Sequence, residues 1–130
     1  MGYYANGGGQ MHINKENFDA LVEAYHNWTK QGGYDTSDSV RSVDDMFDNE
    51  CFTDIDYGDS GNIEWLFFPE EKWRYTSEFL EMIAPFVENG SHMEFTGEDG
   101  EMWRVSYLDH KYYETSGVVT FPGDPYEEEE

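Results

Sequence analysis

The chain has 130 residues, 38% of them hydrophobic and 18% aromatic, with seven Lys and Arg against 29 Asp and Glu. That length and aromatic content give one domain with a real core and exclude disorder for most of the chain. The net charge of −22 lies far outside the magnitude of roughly 2–8 usual for a small domain, and it excludes direct binding to nucleic acid or an anionic membrane, whose phosphates it repels.

In chain order, the first expected element is a hairpin. Gly2–Ala5 and Gln10–Ile13 read as two short strands with "NGGG" as their turn, because glycine accepts the positive φ of tight hairpins. The triple glycine is followed by no G-K-[ST], so it is not read as a phosphate loop. Lys15 to Gln31 reads as a helix. Phe18, Leu21, Val22, Tyr25 and Trp28 make one apolar stripe, Asn14 is the N-cap and Gly32-Gly33 the stop. Tyr34 to Val40 is a polar loop.

Ser42-Val43-Asp44-Asp45 has the form of a capping box with Asp for Glu. It predicts a short helix over Val43 to Glu50 with Met46 and Phe47 inward. Thr53, Ile55 and Tyr57 alternate with Asp54 and Asp56, the period of a strand with both aspartates on its wet face. "GDSGN" is a turn, Ile63 to Phe68 a mostly apolar strand, and Pro69 its end. A further helix runs from Ser77 to Val87, and Pro85 predicts a kink or break near Ala84. "SHMEF", "EMWRVSYL" and "KYYETSGVVTF" read as a β-meander, and 122–130 as an acidic tail. The expected fold is one α+β domain over 1–121, an antiparallel sheet packed against two or three helices.

Several chemistries fail on residue spacing. Counted from Asp54, an EF-hand needs an acid where Gly58 stands, glycine where Asp59 stands and glutamate where Trp65 stands. A weak divalent-cation site at Asp54, Asp56 and Asp59 stays open as an alternative. His12, His26, His92 and His110 have no ligand spacing, so no metal or cofactor is expected. Cys51 is the lone cysteine, without the electropositive surroundings of a nucleophile. No G-x-S-x-G pattern occurs, and with 29 acids the closeness of any two carboxylates marks no active site. The chain is read as a non-enzyme.

Acidic density is the remaining signal. Between Asp35 and Glu64 stand ten acids and one base, Arg41. Carboxylates at i and i+2 of a regular strand lie ~6.6 Å apart, close to the separation of successive phosphates on a DNA strand. Asp44, Asp45, Asp48, Glu50, Asp54, Asp56, Asp59 and Glu64 are the candidate partner-binding residues. Phe47, Phe52, Tyr57 and Trp65 are candidate apolar anchors.

In "SVDDMFDNECFTDIDYGDSGNIEW" and the tail "PYEEEE" the chain resembles, by composition, small acidic inhibitors from phages and mobile elements: DNA mimics, anti-restriction and anti-CRISPR proteins. The resemblance implies a cationic nucleic-acid-binding enzyme as partner, blocked at its groove inside a bacterial host cell. No charged, apolar leader opens the chain and no run approaches ~18 apolar residues, so a cytoplasmic protein is expected. Monomer and homodimer both stay open. An immunity protein against a cationic toxin, a small enzyme with an unmarked site and a solubilised scaffold are the alternatives.

Overall fold

The computed structural model describes residues 3–117. Its elements are β1 (Tyr4–Ile13), a 3-10 turn (Lys15–Asn17), α1 (Phe18–Gln31), α2 (Val43–Asn49), β2 (Thr53–Tyr57), β3 (Ile63–Lys72), α3 (Thr76–Met82), a second 3-10 turn (Ala84–Phe86), β4 (His92–Gly97), β5 (Met102–Leu108) and β6 (Lys111–Gly117). The strands form one antiparallel sheet in the order β2-β3-β1-β4-β5-β6. With three helices on this sheet, the chain is the single α+β domain that its sequence predicts. Residues 118–121 of the expected last strand and the acidic segment 122–130 lie outside the described residues, as does Gly2. None of the described helices is long and apolar enough to cross a membrane.

The expected N-terminal hairpin is instead one continuous strand at the centre of the sheet. β1 runs straight through Gly7, Gly8 and Gly9, pairing with β3 on one side and β4 on the other. A Cβ at Gly7 would run into the Glu94 carbonyl and the Phe95 ring, and one at Gly9 into the His92 carbonyl. The glycines are there because backbone and core side chains approach them too closely for any other residue, a second use of glycine inside strands.

β3 likewise passes through Pro69 instead of ending there. On the β1 side the register shifts between Ala5↔Glu71 and Gly7↔Phe68, and β2 pairs only as far as Phe67. Pro69 therefore lies in a bulge and beyond the end of its outer neighbour, where its missing N–H breaks no ladder.

The helices follow their local signals. In α1, Leu21 and Tyr25 are buried while Phe18, Val22 and Trp28 pack on the core margin. Asn14 makes no side-chain cap; the Lys15 N–H is taken by Asn62 Oδ1 at 2.8 Å, from the turn between β2 and β3. Ser42 Oγ caps α2 by accepting from the Asp45 N–H at 3.1 Å, and the Asp45 carboxylate reaches back to the Arg41 N–H at 3.0 Å. α3 stops at Met82 and the chain restarts as the 3-10 turn holding Pro85, the break expected there. Phe79 of α3 joins the layer, its ring centroid 5.8 Å from Tyr25, 5.7 Å from Phe47 and 5.9 Å from Phe52. The series continues under the sheet through Phe68, Phe95 and Trp103.

The other face of the sheet is open. One row of side chains crosses all six strands there in register: Asp56, Trp65, Gln10, His92, Ser106 and Tyr113. Beside it Phe67, Gly8, Glu94 and Arg104 make a second row. The meander ends in a two-residue turn, Asp109-His110, with φ of 53° and 61°, the geometry that matches strand twist in tight hairpins.

Candidate functional site

The acidic stretch folds into a helix–strand pair at one edge of the sheet. Between α2 and β2 runs a groove of about 410 Å³, floored by Phe52 and Ile55, with Asp44, Asp45, Asp48 and Asp54 around it. α2 supplies the first three because its apolar positions Val43, Met46 and Phe47 turn into the core, leaving the acids outward. Asp44 and Asp45 stand in the first helical turn, where unpaired N–H groups favour negative charge.

Tyr57 closes one end of the groove by donating its hydroxyl to the Asp44 carboxylate. Partial burial first, and then that carboxylate, push the phenol above its ordinary value. Asp54 sits at φ 51°, in the bulge where β2 loses register with β3 between Thr53↔Phe67 and Asp56↔Trp65. The bulge replaces the regular strand on which an even spacing of Asp54 and Asp56 depends. Asp54 lines the groove, while Asp56 stands on the open face across from Trp65.

The remaining expected residues lie elsewhere. Asp59 is exposed in the β2–β3 turn, and the Glu64 carboxylate lies against Gly58 of the same turn. Glu50 is not part of the groove. It is half-buried behind α2, accepting the Tyr25 hydroxyl at 2.6 Å, and burial pushes its carboxyl above the usual range. Of the four expected anchors, Phe47 and Phe52 are 0% and 1% exposed and belong to the core. Tyr57 and Trp65 remain accessible, and Phe67, which the sequence reading passed over, is 40% exposed beside Trp65 at 44%.

Among the described residues no basic side chain forms an ion pair with a groove carboxylate. Among the described residues the one ion pair joins Glu94 to Arg104, on the open face. Lys15 lies along Gly61 at the turn and reaches no carboxylate among the described residues. Among the described residues no three His, Cys, Asp or Glu side chains are placed to share one metal ion. Cys51 is half-buried at the end of α2, and burial, then Glu71 and Glu50, push its thiol up, away from the reactive thiolate.

No family model, no curated protein and no solved structure matches this chain.

Proposed function

We propose that this protein is a binding inhibitor without chemistry of its own, which occupies the Lys/Arg-lined nucleic-acid groove of an enzyme. The observation that carries the reading is the α2–β2 groove, where Asp44, Asp45, Asp48 and Asp54 converge with no ion-pair partner from the described residues. Unopposed like charges destabilise a folded chain. A cationic partner removes that repulsion on binding, so the same carboxylates that strain the free protein favour the complex. The partner reads them as a DNA mimic, a cluster of anions held on a helix–strand frame.

Long-range attraction steers such an encounter and salt weakens it. Asp56, Asp59 and Glu64 extend the negative field along the same sheet edge and its turn. Glu50 is left out of the contact set because its carboxylate is engaged by Tyr25.

The test is DNA cleavage by a panel of purified restriction and RNA-guided nucleases with the protein added in excess. Inhibition of at least one enzyme, competitive with DNA and relieved as salt rises from about 50 to 200 mM, is expected. A panel that cleaves at full rate throughout contradicts the reading.

A further inference from the structure

The open sheet face carries two large exposed side chains that the acidic groove does not use. Trp65 and Phe67 are 44% and 40% exposed and lie two residues apart on β3. That places them on one side of the strand, ~6.6 Å apart, as a continuous apolar ledge. Trp65 is flanked across the strands by Asp56 on β2 and by Gln10 on β1. Neither of these neighbours is basic, and Asp56 forms no ion pair among the described residues. Directly opposed residues of an antiparallel pair have their Cβ atoms about 4.5–5.5 Å apart. A half-exposed indole and a carboxylate with no ion-pair partner among the described residues thus stand side by side.

This pair suits one chemical group better than others. Guanidinium is planar, weakly hydrated and always charged, so it stacks on an indole while its N–H groups meet a carboxylate. An ammonium is a compact, strongly hydrated ion and gains less from the ring. A partner drawn by the net charge of −22 brings such cations to the face.

We propose that Trp65 and Asp56 form an arginine-receiving site on the open face of the sheet, with Phe67 as the apolar ledge beside it. Its occupant is an arginine-bearing segment of the basic partner protein. The proposal rests on the reading of a cationic partner and adds to it a preference for arginine over lysine, located at one cross-strand pair.

Deca-arginine and deca-lysine, equal in length and charge, separate the two ideas. Each is titrated into the full chain at low and moderate salt, followed by calorimetry and tryptophan fluorescence. Deca-arginine is expected to bind about five-fold more tightly than deca-lysine. Trp65→Leu and Asp56→Asn should each bring that ratio close to unity. Glu78→Gln, which removes the same charge from an exposed position on α3, should leave it unchanged. Circular dichroism identifies any variant that has lost its fold, and either of the two suffices for the test. Equal binding of both peptides by the wild type overturns the arginine site while leaving the charge reading intact, as does a ratio that survives in both variants. Failure of both peptides to bind at low salt overturns the charge reading and this site with it. Salt-independent quenching of Trp65 by a linear oligosaccharide, stronger than by deca-arginine, reassigns the face to glycans and also overturns the proposal.

Discussion

Glu50 accepts the Tyr25 hydroxyl at 2.6 Å, while Asn49 Nδ2 donates to the same phenol oxygen at 2.7 Å. The C-terminal end of α2 is thereby fastened to the middle of α1, and one carboxylate of the acidic stretch becomes a structural group. Burial raises Glu50 above its ordinary value of 4.5, so the folded state binds this proton more tightly than the unfolded state does. The stability linked to Glu50 is complete below about pH 4.5 and is lost as pH rises through the raised folded value. Glu50→Gln keeps the acceptor and removes the titration. Its melting temperature should equal or exceed that of the wild type at neutral pH, and the gap should close on acidification. Thermal melts across a pH series check this; a deficit at neutral pH that persists in acid contradicts it.

Ser42→Ala should destabilise by about 1 kcal/mol through loss of the α2 cap. Three of the four groove acids ride on this helix, so hydrogen exchange of the first amides of α2 should accelerate more than the exchange in α1.

β1 offers a sharp contrast between glycines. Gly9→Ala forces a Cβ into the His92 carbonyl and should destabilise by more than ~2 kcal/mol, a core-overpacking effect. Gly117→Ala on the edge strand β6 meets nothing nearer than 3.8 Å among the described residues and should be neutral or slightly stabilising. Urea melts of the two variants make the comparison.

Asp54 holds φ 51° in the β2 bulge, a left-handed conformation that a β-branched residue tolerates poorly. Asp54→Val should lower stability by ~1–2 kcal/mol, whereas Asp54→Gly relieves the backbone and removes a groove carboxylate together. A more stable protein that binds its partner less well is the expected outcome for Asp54→Gly, read by melting and by inhibition.

Local signals were legible in the sequence: the α1 stripe, the Ser42 cap, the Pro85 break and the C-terminal meander all rest on residues close in the chain. Gly7 to Gly9 and Pro69 were misread as punctuation because their roles are set by strands distant in sequence, β4 around the glycines and the end of β2 beside the proline. The acids of α2 were legible because helix phase turns Val43, Met46 and Phe47 inward and leaves Asp44, Asp45 and Asp48 outside. Glu50 was not, since its partner Tyr25 comes from another helix. Nor was the exposed ledge. Ile63 to Phe68 is nearly all apolar, and the irregularity of β3 around Glu64, not a simple alternation, decides that Trp65 and Phe67 face solvent while Leu66 and Phe68 are buried.

Asp48 and Asp54 are the two groove carboxylates whose side chains make no hydrogen bond to any described residue; Asp44 bonds Tyr57 and Asp45 bonds the Arg41 N–H. Reversing Asp48 and Asp54 to Lys therefore probes the groove without removing a side-chain hydrogen bond to a described residue. Glu16→Lys with Glu23→Lys, at exposed positions on the 3-10 turn and α1, changes the net charge equally. The most direct measurement is competition with duplex DNA for an inhibited nuclease, followed over a salt series for both double variants. The Asp48/Asp54 double variant should lose inhibition and flatten the salt dependence, while the Glu16/Glu23 double variant should inhibit nearly as the wild type does. Equal inhibition by the two pairs would contradict it, because net charge, and not the groove, would then be what the partner recognises.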